Sequence, residues 1–224
     1  MPYSLPLAFK TRLDSIPSSE SYLPVPDADQ VRAWENRLGL HEKLRVGLVW
    51  SGSPSHPNDR GRSISFQMLS SLLDVDAKFV SLQKNPRPRD VELLRERPDI
   101  VDFTADLTDM AATAALASRL DLVIAVDTAV AHLAAALGRP TWILLPHTPD
   151  FRWVLHRDDS PWYPTVRLFR QSKTREYASV IERIRSELQA MVAWKLRWQE
   201  WTALDCTPGS YGGSYGDIAQ NSSS

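Results

Sequence analysis

From Arg45 onward the chain alternates two hydrophobic patterns. Short, continuous apolar runs at 46–50, 79–82, 100–103, 122–126, 141–145 and 166–169 have the length and composition of strands covered on both faces. Between them, 66–73, 89–96 and 110–119 carry the helical period, and the Ala/Leu-rich stretch after Thr128 has high helix propensity. Strands that alternate with helices predict an α/β fold: a Rossmann-like parallel sheet with helices on both faces and right-handed crossovers. Ligands bind such sheets at the carboxyl ends of the strands. The polar loops 51–63, 83–88, 104–109, 127–128 and 146–153 are therefore expected to face one cleft.

The flanks read differently. Residues 1 to about 30 contain Pro2, Pro6, Pro17, Pro24 and Pro26 and no sustained period, so they predict an extended arm. A short helix over 29–38 follows, with Val31, Trp34 and Leu38 on one face. At the other end, 178–201 predicts a long helix striped by Val180, Ile181, Ile184, Leu188, Met191 and Val192. Beyond Asp205 the Gly/Ser/Tyr-rich sequence cannot bury enough apolar surface to order itself, which predicts a disordered tail over 205–224.

Composition narrows the class. With 224 residues and 43% hydrophobic content, the chain can build one full domain with extensions. A net charge of −1 with interspersed signs offers no broad surface to a nucleic-acid backbone. The single cysteine, Cys206, precludes an intrachain disulfide or a cysteine-based zinc site. No signal peptide or membrane span is read, and a cytoplasmic location is expected.

The stretch from Asp121 to Pro140 carries the strongest chemistry. A buried strand ends at Asp127-Thr128, two good N-cap residues, and a small-residue helix begins there and stops at Gly138 and Pro140. The first amides of that helix lack intrahelical partners and sit at the positive end of its dipole, a ready site for an anion. Small side chains at Ala129 and Ala131 permit close approach, and His132 lies one turn on from Thr128. The alternative is a capped structural helix with His132 satisfied in the core.

A second signal follows the first strand, in the loop 51–63. Gly52 permits close backbone approach, Ser53 adds a hydroxyl, and Arg60 and Arg62 supply guanidinium groups suited to phosphate oxygens. Its alternative is a solvated loop. Gln83-Lys84 after the next strand ranks third, with Lys84 as a further cation. Two anion signals on one presumed sheet suggest a pyrophosphate. Asp27/Asp29 and Asp74/Asp76 read as surface charge rather than a metal pair, and no metal site is assigned. Phe151 and Trp153, after a strand end, are candidates to wall a base or sugar pocket.

Taken together, Val46–Gly52, Asn58–Ile64, Phe79–Lys84, Asp121–Pro140, Pro149–Trp153, Ser160–Pro164 and Arg167–Gln171 resemble the C-terminal, donor-binding half of heptosyltransferase-like glycosyltransferases (family nine). The resemblance is to the bacterial type in which tetratricopeptide repeats precede the transferase. It implies a GT-B enzyme of two facing Rossmann-like domains, inverting and independent of metal, with a nucleotide-diphosphate sugar as donor substrate and no cofactor. Carried over, Thr128, Ala129 and Val130 would offer amides to the diphosphate and Asp127 would face sugar hydroxyls. His132 with Arg60 or Arg62 would neutralise the leaving group.

Two departures stand out: Ala129 occupies a position where the family has glycine, and the acceptor domain that supplies a general base is nearly absent. The expected organisation is an arm and linker helix over 1–44, remnant of an N-terminal domain, and a nucleotide-sugar-binding domain over 45–188. A helical extension over 189–204 and the tail over 205–224 complete it. The expected partners are a nucleotide sugar and a protein or glycan acceptor, with a missing N-terminal domain or self-association completing the site. A competing reading is a non-catalytic scaffold that docks through Trp34, Trp194 and Trp198. A nucleotide-sugar epimerase ranks third.

Overall fold

The computed structural model describes residues 8–204. Six strands form one sheet: β1 (Arg45–Val49), β2 (Lys78–Ser81), β3 (Ile100–Asp102), β4 (Leu122–Val126), β5 (Thr141–Leu145) and β6 (Val166–Arg170). All neighbours pair in parallel. Their order, β3-β2-β1-β4-β5-β6, is that of a Rossmann-type dinucleotide fold, in which the chain reverses its winding between β1 and β4. Every residue of β1, β4 and β5 is buried, the physical reason that these strands read as unbroken apolar runs.

The helices are α1 (Ala28–Leu38), α2 (Asp59–Arg62), α3 (Phe66–Leu69), α4 (Pro88–Arg95), α5 (Met110–Ala117), α6 (Ala129–Ala136) and α7 (Ala178–Leu204). They divide the core in two. On one face α7 lays Val180, Ile181, Ile184, Leu188 and Val192 against Leu48, Ile124, Leu144 and Phe169, as its stripe predicts. On the other, α1, α5 and α6 bury Trp34, Leu38, Leu116, Ala131 and Ala135 with Val123 and Ile143.

Three sequence expectations shift. Trp34 is only 6% exposed, a core residue of α1 and not part of a docking face; Trp194 is exposed, and the side chain of Trp198 lies outside the described residues, as does the segment 205–224 with Cys206. The helix expected over 66–73 breaks after Leu69 into a 3-10 turn over Ser70–Asp74. There the Ser70 hydroxyl donates to the Gln67 carbonyl at 2.8 Å, a local bond that competes with continued helix. Trp50 leaves the ladder, because its amide donates to Gln83 Oε1 at 3.0 Å.

The flanks are tied to the sheet. α1 is capped by Asp27, and its Glu35 pairs with the fully buried Arg45 at 2.8 Å. Asp121, at the amino end of β4, accepts from the Arg45 amide at 2.8 Å and contacts His41 at 2.7 Å and Lys195 at 3.4 Å. The last turns of α7 thereby return to the linker. The N-terminal arm is clasped as well: the Ala136 carbonyl at the end of α6 accepts from the amides of Tyr22 and Leu23 at 2.7 and 3.1 Å and from the Ser21 hydroxyl at 3.2 Å. Tyr22 also donates to the Trp162 carbonyl at 2.7 Å and meets Tyr163 edge-on. Among the described residues no helix is long and apolar enough to cross a membrane.

Candidate functional site

The winding reversal between β1 and β4 opens a cleft of about 400 Å³ at the carboxyl ends of the strands. Its walls come from three loops. The loop after β1 supplies Ser51, Gly52, Ser53 and Arg62; the loop after β2 supplies Gln83 and Lys84; the start of α6 supplies Thr128, Ala129 and Val130.

The α6 wall is made of backbone. Thr128 is the N-cap residue, with extended φ −140° and ψ 167°, yet its side chain makes no capping hydrogen bond. The first intrahelical bond is that from the His132 amide to the Thr128 carbonyl, at 3.2 Å. The opening amides thus have no intrahelical partner, at the positive end of the helix dipole.

The β1 loop brings a cation to the same place. Arg62 donates from Nη1 to the Asp127 carbonyl oxygen at 2.9 Å, linking the two anion signals of the sequence. Its guanidinium lies across Gly52, where any β-carbon would collide with it. Gln83 braces the loop, accepting from the Trp50 and Ser51 amides at 3.0 and 2.9 Å and donating to the Ser51 carbonyl at 3.0 Å. Lys84 lines the cleft while its ammonium donates to the Thr108 carbonyl at 2.8 Å. Ser51 Oγ, Arg62 Nε and Thr128 Oγ1, on three of the cleft's lining residues, are buried polar atoms without a protein partner.

Arg60 goes elsewhere. Asp59–Arg62 forms a helical turn, and two residues along a helix are separated by about 200° around its axis. Arg62 therefore faces the cleft and Arg60 faces a second cavity on the far side of the turn.

Asp127 and His132 form a separate cluster behind the cleft wall; neither is among its lining residues. His132 Nε2 stands 3.5 Å from Asp127 Oδ1, its Nδ1 is 3.1 Å from the Tyr163 hydroxyl, and its ring stacks on Trp153 at 5.0 Å. Burial alone would raise the Asp127 carboxyl. The His132 contact, the nearby Trp153 indole and the charge of Arg152 outweigh burial and hold it below the usual carboxylate range. Trp153 is completely buried beneath His132 and is not among the residues that line the cleft, whereas Phe151 is exposed. Tyr163 and Trp153 as partners of His132 escaped sequence reasoning, since neither is near it in the chain. The acidic pairs are structural: Asp27 caps α1 and Asp76 pairs with Lys43.

Residues 93–187 match the family described as "Glycosyltransferase family 9 (heptosyltransferase)". The chain is 32% identical over 170 residues to Protein FlbA of Caulobacter vibrioides, an alignment that takes in 70% of this chain and 27% of FlbA. Among solved structures, E. coli ADP-heptose lps heptosyltransferase II superposes with a TM-score of 0.51 at 19% identity, over 77% of this chain and 56% of that one. E. coli heptosyltransferase WaaC with ADP-2-deoxy-2-fluoro heptose gives 0.43 at 16% identity, over 78% and 52%. The chain spans only about a quarter of its curated relative (27%) and little more than half of these structures (56% and 52%). It carries, over residues 93–187, a segment that matches glycosyltransferase family 9, set in the Rossmann-like sheet of GT-B heptosyltransferase folds.

Proposed function

We propose that this chain is the donor-binding half of an inverting glycosyltransferase, with the cleft between β1 and β4 holding the diphosphate of a nucleotide sugar. The observation that carries the reading is the Arg62–Asp127 contact, which closes a cationic loop onto the uncapped start of α6. In this reading the amides of Ala129 to Ala131 and the guanidinium of Arg62 receive the phosphoryl oxygens. Gly52, Ser53 and Thr128 allow or complete that approach, with the Lys84 ammonium nearby.

As the sugar–phosphate bond breaks, negative charge grows on the diphosphate. A helix dipole and a fixed guanidinium already oriented toward it stabilise that charge without reorganisation, so the transfer proceeds without a metal. His132 then acts through Asp127, fixing the turn that presents the amides, and Arg60 has no part in diphosphate binding. The acceptor hydroxyl is deprotonated by a base from another domain or chain, and the full reaction requires that completion.

The reading is tested by calorimetric titration with nucleoside diphosphates. ADP comes first, because the E. coli structural neighbour is named for ADP-heptose; GDP and UDP follow. At least one should bind, and Arg62→Ala should weaken it by about tenfold or more, the value of a charge-assisted hydrogen bond to phosphate. Absence of binding by all three at millimolar concentration would sink the proposal.

A further inference from the structure

On the opposite side of the α2 turn from the donor cleft lies an open cavity of about 530 Å³, bordered by the loops after β1, β5 and β6. This is within the size range of small-molecule sites. Arg60 and Arg175 line it, together with His147, and no carboxylate is among its described lining residues. The one acidic side chain of the turn, Asp59, is engaged by the Ser63 hydroxyl and by Arg87, each at 2.6 Å. Arg45, Arg62 and Arg167 hold a carboxylate or a carbonyl, whereas Arg95 and Arg185 make no such contact among the described residues. Among the described residues the guanidinium groups of Arg60 and Arg175 hold neither.

The cavity is also built. Arg175 adopts φ +59°, a left-handed conformation disfavoured for a residue with a β-carbon and found preferentially at functional sites. It is held by Gln171, 9% exposed, whose amide nitrogen donates to the Arg175 carbonyl at 2.9 Å while its oxygen accepts from the His147 amide at 3.1 Å. One buried side chain thus fixes two of the three loops, and Tyr177 joins the third by donating to the Gly61 carbonyl at 3.2 Å. Ile64 and Met68 give the cavity an apolar side, and Ser65 and Thr148 give it hydroxyls. That combination suits the faces and edges of a sugar ring better than a bare inorganic anion.

We propose that this second cavity binds a charged sugar through its acidic group, phosphoryl or carboxylate, held between Arg60 and Arg175. The site goes beyond the donor reading and does not depend on it, since its residues are separate from those that line the donor cleft.

The test is calorimetric titration of the full chain with glucose 6-phosphate, with glucuronate and with neutral glucose. Saturable binding of one or both acids, with none of glucose, is expected, and whichever acid binds identifies the phosphoryl or the carboxylate source. Arg60→Gln combined with Arg175→Gln should weaken that binding by about tenfold or more. Arg60→Glu alone, at an exposed position, should abolish it while the melting temperature stays unchanged. Arg62→Ala should leave it unaltered, whatever it does to nucleoside diphosphates. Failure of both acids to bind, equal binding in the double variant, or equal loss in Arg62→Ala would overturn the proposal.

Discussion

Gly52 and Arg62 share one volume: the space that a β-carbon on residue 52 would fill is occupied by the Arg62 guanidinium. The glycine is there for its missing side chain, which lets a cation lie flat across the loop and reach the Asp127 carbonyl. Gly52→Ala should therefore expel Arg62 while leaving the sheet intact. Nucleoside diphosphate affinity is expected to fall by about tenfold, as for a lost charge-assisted bond, with melting temperature nearly constant. A large drop in melting temperature would assign Gly52 to folding instead.

The depressed carboxyl of Asp127 ties stability to acid. A carboxylate whose folded pKa lies below its unfolded value of about 3.9 contributes fully above that value, and the contribution disappears as pH falls through the folded pKa. In denaturant titrations the stability gap between the natural protein and Asp127→Asn should be level from about pH 5 upward and narrow below about pH 4. A gap that widened on acidification would contradict the effect of His132, the Trp153 indole and Arg152 on that carboxyl.

Asp90 is buried on α4, accepting from the Trp50 indole N–H at 3.0 Å and from the Phe66 amide at 3.2 Å. Asp90→Ala leaves both donors buried and unpaired, at a cost of about 3 kcal/mol. Urea unfolding should show that loss, and the loop that carries Arg62 should loosen with it, because Trp50 and Phe66 bracket its two ends.

Gly138, with φ +72°, ends α6 in the left-handed conformation, and a β-carbon there would strike the Glu20 carbonyl of the arm. Gly138→Ala is expected to cost about 1–2 kcal/mol, from backbone strain and the lost contact. Hydrogen exchange should report the rest: the Tyr22 and Leu23 amides lose protection while those of β4 and β5 keep theirs.

The sheet could be read from the chain because its information is local. The runs at 122–126 and 141–145 are strands to the residue, and the Thr128 start of α6 follows from a change of period next to good breakers. The two arginines were legible as phosphate-type residues, but their division between two cavities was not, since it depends on a four-residue helical turn amid Gly, Asn and Ser. The spacing from Thr128 suggests that His132 reaches the anion site, whereas the ring turns behind the cleft wall and is not among its lining residues. Its stack on Trp153 and contact with Tyr163 join residues 21 and 31 positions away, and no local pattern encodes them. Trp34 misled for a similar reason: an aromatic on an amphipathic helix looks alike whether its apolar face meets a partner or the protein's own sheet.

The arm's grip on Ala136 has a mechanical meaning. Eight helical residues, Ala129–Ala136, span about 12 Å, so α6 is a short strut, gripped at its carboxyl end by residues 21–23 and open at its amino end to the cleft. The tilt of the strut sets where its amides point. Residues far upstream in the chain, outside the lining of the cleft, thereby help to set where those amides point.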